Sequence, residues 1–254
     1  MNLTDYLTTQ FFAYFLVFCR VGGVFMLLPG FGDAYVAARI RLMLALIISL
    51  ALTPAIPHLP GLPVSPITTL VIIFHEIVIG VLIGGIIKLL TSCLNIAGTI
   101  IAAQSSLGQA SLFDPTQQTQ GAVFGTFMEM LGIVLMFSLN LHHFIIAGIV
   151  DSYSFFAVNS PLNYGDFSEL ATKAVAHSFA VGMQIAAPLI VIGILVNLTS
   201  GILARLMPAF QVFFVIMPAQ ILVSFFVFMV TLSTGMMIYM QFLSDSLSAI
   251  FPTK

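Results

Sequence analysis

Long apolar runs separated by short polar breaks dominate the hydropathy pattern of this chain. Runs of about twenty apolar residues are long enough to cross the ~30 Å hydrocarbon core of a bilayer as helices. The pattern predicts about six such helical segments, several of them overlong or kinked. They cover about residues 8–28, 34–56, 67–104, 120–150, 173–203 and 209–250. We therefore expect an all-α integral membrane protein.

Several of these segments are too long or too rich in proline to cross a bilayer once as straight helices. Residues 67–104 and 209–250 exceed one crossing at about 1.5 Å of rise per residue. Pro188 is predicted to break the fifth segment, because proline removes a helix hydrogen bond. A turn-rich polar stretch is expected between residues 151 and 172. Closely spaced prolines predict an extended connector after the second segment: Pro54, Pro57, Pro60, Pro63 and Pro66.

Composition supports the membrane assignment and argues against other classes. The 254 residues are 60% hydrophobic and only 6% charged, with a mean hydropathy of +1.14. Soluble domains contain about a quarter charged residues. The net charge of −2 argues against a strongly basic nucleic-acid surface. Cys19 and Cys93 lie in apolar runs without paired spacing, so neither a disulfide framework nor a zinc site is predicted.

The middle of the chain, from Asn95 to Gln120, is small and polar where the rest is apolar. A loop is expected at residues 105–119, carrying Asp114 as its one charge. Long loops in compact proteins are usually functional or disordered, and this composition is not typical of disorder. An ordinary connector and a segment packed inside the protein both remain open. The residues of interest are Gln104, Leu107, Gly108, Leu112, Phe113, Asp114 and Pro115.

Five charged residues lie inside or beside the apolar segments, where ionisable groups are costly and indicate function by default. They are Arg20, Glu76, Lys88, Glu129 and Arg205. One interpretation is a proton or ion relay through Glu76 and Glu129. The other, which we favour, is buried pairing that locks helices or subunits together, with Arg20 bound to Glu76 or Glu129. No segment aligns several carboxylates on one helical face.

The motifs of membrane enzymes are missing from the sequence. His75-Glu76 lacks the second histidine of a metalloprotease helix, because position 79 is Ile. Neither a GxSxG nucleophile motif nor a glycine-rich phosphate loop occurs. We therefore expect no enzymatic activity, catalytic residue, metal or cofactor.

An ordered set of motifs resembles the FliR family of flagellar export-gate proteins, whose injectisome counterpart is SctT. The set begins with RVGGVFMLLPGFG at Arg20–Gly32, followed by the basic pair Arg39 and Arg41. It continues with EIVIGVLIG at Glu76–Gly84 and ends with NLTSGILARLMPAFQVF at Asn197–Phe213. Between these lie Ala97-Gly98, Gln104, Gly108 and Asp114-Pro115. The resemblance covers nearly the whole chain, so a single domain over residues 1–254 is expected.

The resemblance implies a subunit of the type III export apparatus at the flagellar basal body, in the bacterial inner membrane. FliR-like proteins join FliP and FliQ in a channel built of kinked helical hairpins, part of which rises to the periplasmic side. The FlhB switch protein binds around the entrance of that channel, and unfolded flagellar proteins pass through it. The residues that match the family's channel plug are 105–119. Membrane lipid is an expected partner, and nucleic acid is not.

Two other classes of function remain as alternatives. A proton-coupled transporter of a small solute would use Glu76 and Glu129, with inverted repeats and discontinuous helices around a midplane site. The segments are broken, but the sequence shows no internal repeat. A purely structural membrane scaffold would leave the central loop inert.

Overall fold

The computed structural model describes residues 3–33, 35–56, 59–61, 63, 65–106, 122–158, 164–207 and 212–251. Seven α-helices account for most of these residues, and the described part of the chain contains no β-strand. The helices are α1 (Leu3–Leu27), α2 (Ala38–Leu52), α3 (Pro66–Gln104), α4 (Ala122–Ser138), α5 (Leu141–Phe155), α6 (Tyr164–Leu206) and α7 (Val212–Ile250). A short 3₁₀ turn, Thr53–Ala55, extends α2. The predicted all-α fold is confirmed.

Five of the helices are long and apolar enough to cross a membrane, and α4 and α5 together provide a further candidate span. The two overlong helices predicted from the sequence, α3 and α7, are present, and α6 proves to be overlong as well. Helix α3 has 39 residues, α6 has 43 and α7 has 39. At about 1.5 Å per residue each exceeds the ~30 Å hydrocarbon core. The chain is an integral membrane protein in which α3, α6 and α7 extend beyond a single crossing.

The predicted fourth segment, residues 120–150, is not one helix. It divides into α4 and α5, which are bent by 75° at a break formed by Leu139 and Asn140. Asn140 has a φ of 57°, in the left-handed region that asparagine tolerates better than most residues. Its carbonyl accepts a hydrogen bond from the amide of His143 at 3.0 Å, which starts the next helix. The hydropathy pattern did not reveal this break, because a single asparagine barely changes the mean hydropathy of a long apolar run.

Two other sequence-based boundaries were wrong. Pro188 does not end a helix, because α6 continues through it from Tyr164 to Leu206. Helices in apolar surroundings tolerate proline when neighbouring groups satisfy the freed carbonyl. The expected turn-rich stretch, residues 151–172, is helical at both ends, since α5 extends to Phe155 and α6 begins at Tyr164.

The chain divides into two compact units, whereas the resemblance predicted one domain over residues 1–254. Unit 1 comprises Met1–Leu90, Phe137–Ala174 and Ser246–Lys254, and unit 2 comprises Thr91–Met136 and Val175–Asp245. Unit 1 has a core of α1 and α3 side chains that includes Leu16, Val21, Ile79 and Ile87. In unit 2, α3 and α4 pack with their backbones in contact, because a Cβ on Gly98 would collide with Gly125. Whether the units behave as one domain stays a prediction.

Candidate functional site: a buried arginine network in unit 1

Small residues allow α1 and α3 to pack with their backbones in contact. A Cβ on Gly80 would collide with the carbonyl oxygen of Arg20, and one on Gly84 would lie 2.8 Å from that of Val24. From the other side, a Cβ on Gly23 would lie 3.0 Å from the amide nitrogen of Val81. Such close approach is the usual role of glycine at helix interfaces in membranes.

We expect Gly80→Ala to destabilise unit 1. The added methyl has no space beside the Arg20 carbonyl, and overpacking of this kind costs about 1–3 kcal/mol. Gly22→Ala is the matched control, because a Cβ there meets nothing within 4 Å. Thermal unfolding of the detergent-solubilised protein should show a lower midpoint for Gly80→Ala and no loss for Gly22→Ala. Equal midpoints would contradict the close packing.

The close packing brings Arg20 of α1 against Glu76 of α3. Arg20 Nε donates to Glu76 Oε2 at 2.7 Å, and Arg20 Nη2 donates to Oε1 at 2.8 Å. This two-point geometry matches a guanidinium to a carboxylate. Both side chains are completely buried. Of the two carboxylates that the sequence offered to Arg20, the structure pairs it with Glu76.

Further donors of Arg20 bind the C-terminal end of α5. Arg20 Nη1 donates to Ser152 Oγ at 3.0 Å, and Nη2 also donates to the Phe156 carbonyl at 2.9 Å. The guanidinium carbon lies 3.6 Å from the centroid of the Tyr153 ring, a cation–π contact. The C-terminal end of a helix carries partial negative charge, which further stabilises the cation. Arg20 therefore joins α1, α3 and α5 at one buried point.

Ser152, Tyr153 and Phe156 were missed by the sequence interpretation. They fall in a stretch read as polar and turn-rich, and nothing local marks them as partners of a residue 132 to 136 positions away. The sequence signal for them is weak. It consists of one small hydroxyl residue and one tyrosine near the end of an apolar run. Only the packing of α5 onto α1 gives these residues a role.

The other predicted charges lie in different surroundings. Glu129 is half-buried in unit 2. Lys88 and Arg205 are exposed on this chain, so their predicted burial does not come from the chain itself, and burial against a neighbouring subunit stays a prediction. Long cationic side chains at exposed helix positions can extend toward a polar environment. Among the five predicted charges, the structure shows a direct ion pair between Arg20 and Glu76.

Most of the predicted central-loop residues lie outside the described part of the chain: Leu107, Gly108, Leu112, Phe113, Asp114 and Pro115. The structure describes the start of this stretch, residues 104–106. Ser105 and Ser106 are buried, and Ser106 has a left-handed φ of 61°. Within unit 2, the carbonyl of Gln104 accepts a hydrogen bond from Gln220 Nε2 of α7 at 2.7 Å. The chain therefore leaves α3 from a buried and anchored position.

The described residues contain no group of three or more His, Cys, Asp or Glu side chains that could hold a metal ion. What they provide is a completely buried and neutralised ion pair among helices long enough to cross a membrane. These features define a polytopic, all-α membrane protein that contains a completely buried internal salt bridge.

Comparison with known proteins identifies the family. Residues 11–246 match the family described as bacterial export proteins, family 1. The flagellar biosynthetic protein FliR of Caulobacter vibrioides is 38% identical over 231 residues, which is 91% of this chain and 92% of that protein. FliR of Bacillus subtilis is 30% identical over 87% of this chain and 86% of its own length. FliR of Escherichia coli is 30% identical over 83% of this chain and 80% of its own length.

The chain therefore belongs to the FliR family of bacterial export proteins. Membership makes it a membrane component of the flagellar export apparatus, as the motif resemblance predicted. The names of the family and of its members describe export and flagellar biosynthesis rather than a chemical reaction.

Proposed function

We propose that this chain is a non-enzymatic subunit of the flagellar export gate. With FliP-like and FliQ-like subunits it forms the channel through which unfolded flagellar proteins leave the cell. The observation that carries this assignment is the similarity to a flagellar FliR across nine-tenths of both chains (91% and 92%). The gate lies in the inner membrane at the basal body, with part of it on the periplasmic side. An FlhB-like switch protein binds around its entrance.

The large uncovered apolar surface of the chain supports assembly with other subunits. Within the most apolar stretch of each helix, only 11% of the residues of α2 are buried, with 28% for α6 and 22% for α7. Apolar helix faces in a membrane protein contact either lipid or other protein helices. These three helices, with so little burial inside the chain, offer ample surface for neighbouring subunits.

We propose that residues 105–119 plug the closed channel. The start of this segment supports that role, because Ser105 is buried and Gln104 is hydrogen-bonded to α7. Because one end of the segment is anchored, the positions that its residues can reach are limited. Leu107, Leu112 and Phe113 supply apolar groups, and hydrophobic constrictions can close a pore by excluding water.

The buried ion pair supports a structural role for Glu76 rather than a proton relay. Both carboxylate oxygens of Glu76 accept hydrogen bonds from Arg20, at 2.7 and 2.8 Å. Breaking such a pair in a buried position is costly. A relay residue that loads and releases protons needs a less tightly held carboxylate, so the transporter alternative finds no support at this position.

Copurification tests the proposed function. The chain is tagged in its native membrane and purified in mild detergent, and the bound proteins are identified by mass spectrometry. We expect FliP-like and FliQ-like subunits in one large complex. Recovery of the chain alone, from cells that assemble flagella, would contradict a role as a gate subunit. A mock purification from cells with the untagged chain is the control.

A further inference from the structure

Three helices of unit 2 meet where α3 ends. Gln104 is the last residue of α3, and its backbone carbonyl accepts a hydrogen bond from Nε2 of Gln220 in α7 at 2.7 Å. The side chain of Gln104 lies directly against Gly193 of α6, since a Cβ on Gly193 would collide with Gln104 Oε1. We call Gln104, Gly193 and Gln220 the α3-end cluster.

The hydrogen bond from Gln220 completes the end of α3. The last turn of a helix leaves carbonyls without partners inside that helix. The Ala102 carbonyl accepts from Ser105 Oγ at 3.0 Å. The Gln104 carbonyl has no such local donor, and Gln220 supplies one from a residue that is only 6% exposed. A helix 116 positions further along the chain therefore caps the end of α3.

The chain changes direction directly after the α3-end cluster. Ser105 and Ser106 are buried, and Ser106 has a left-handed φ of 61°. Side chains other than glycine occupy this region at a cost, so the surrounding contacts have to hold the residue there. A left-handed residue is a common way to end a helix. Contacts with α6 and α7 therefore fix both the position of the α3 end and the direction in which the chain leaves it.

On the basis of the proposed function, we infer that Gln220 and Gly193 are positioning residues for the proposed plug, residues 105–119. They hold the residue from which that segment starts, and so they set where its apolar side chains lie in the closed channel. One hydrogen bond and one close packing contact are individually weak. They therefore favour the closed state without preventing the plug from leaving when a substrate passes.

A role in packing alone makes a different prediction for the α3-end cluster. If the two contacts only stabilise unit 2, their loss lowers the yield of folded chain, and the gates that still assemble remain tight. If the contacts position the plug, the assembled gates leak. The leak per assembled gate therefore separates the two roles. It is measured as membrane conductance or uptake of a small dye, divided by the amount of complex recovered from the same cells.

Gln220→Met tests the hydrogen bond. Methionine is similar in length to glutamine and has no donor, so the Gln104 carbonyl loses its partner. We expect the leak per assembled gate to rise about two- to tenfold, the factor that corresponds to one net hydrogen bond. Gln241→Met is the matched control, because Gln241 is exposed on the same helix and should leave the gate tight. Assembled Gln220→Met gates as tight as the wild type would overturn the inference.

Gly193→Ala tests the packing contact. The added methyl takes the place of Gln104 Oε1, so the side chain of Gln104 has to move. We expect the complex to assemble, because the obstacle is the end of a flexible side chain, and we expect it to leak more than the wild type. Gly201→Ala in the same helix is the control, because a Cβ there meets nothing within 4 Å. The same leak in both variants would overturn the role of Gly193.

Deletion of Gly108–Phe113 separates this inference from the proposed function. A deletion variant that assembles and stays tight would contradict the proposed plug itself. A leaking deletion variant beside tight Gln220→Met and Gly193→Ala gates would overturn the inference alone. In the deletion background, Gln220→Met should add no further leak, because the segment that Gln220 positions is already removed. A further leak there would show that Gln220 acts elsewhere and would also overturn the inference.

Discussion

Replacing Arg20 with Ala should cause the largest loss of stability of any single substitution considered for this chain. The change leaves the Glu76 carboxylate completely buried without its partner. Breaking a buried ion pair by removing one member costs about 3–5 kcal/mol. Because α5 is hydrogen-bonded to the same guanidinium, the packing of α5 should also weaken. We expect a lower thermal midpoint in detergent and a large drop in the yield of assembled complex.

Matched variants separate the role of the charge from that of the geometry. Arg20→Lys should rescue only in part, because an ammonium lacks the planar fork that reaches both Glu76 oxygens and the Phe156 carbonyl. Replacing both members with apolar residues, Arg20→Met with Glu76→Leu, should recover much of the yield, since no charge is then stranded. Lys173→Ala breaks an exposed pair with Glu169 and should change little. A wild-type midpoint for Arg20→Ala would contradict the role assigned to the network.

Deleting Gly108–Phe113 should make the assembled gate leak ions and small molecules. Burying a side chain such as Phe is worth about 1.5–3 kcal/mol, which biases a closed state by one to two powers of ten. Removing Leu112 and Phe113 together with the small residues beside them takes away the proposed seal. Phe113→Ala removes one apolar contact and should leak less. The measurement is membrane conductance, or uptake of a small dye, in cells that express the whole gate.

The deletion is informative only in a gate that assembles. Copurification of the deletion variant with FliP-like and FliQ-like subunits is therefore measured in the same cells. Thr116→Ser, a conservative change within residues 105–119, serves as a control that should remain tight. An assembled deletion variant as tight as the wild type would mean that residues 105–119 are an ordinary connector and that the seal lies elsewhere.

The proposed roles of the two regions differ in physical kind. The Arg20 network is static, because its ion pair is completely buried and most of the donors of the guanidinium are satisfied. A plug must leave its site when a substrate passes, so it depends on contacts that are individually weak. This contrast predicts that network variants fail in assembly, whereas plug variants assemble and fail in sealing.

The sequence by itself determined the class of the protein and most of its helices. Hydropathy is a local property, so the limits of α3 follow from the pattern to within a residue, and the membrane assignment follows from composition. The ordered motifs indicated the family, which the comparisons confirm. The same local signal failed at Asn140 and Pro188, where a break and a continuous helix depend on backbone geometry rather than on hydropathy.

Only the tertiary structure decided which charges meet. Arg20 and Glu76 are 56 positions apart, and their sequence offered Glu129 equally well as a partner. The choice depends on Gly23, Gly80 and Gly84, which let α1 and α3 approach until the guanidinium reaches the carboxylate. Ser152 and Phe156 join the network for the same reason, through the packing of α5. Contacts between distant segments are set by how helices pack, and periodicity along a single helix carries no information about that packing.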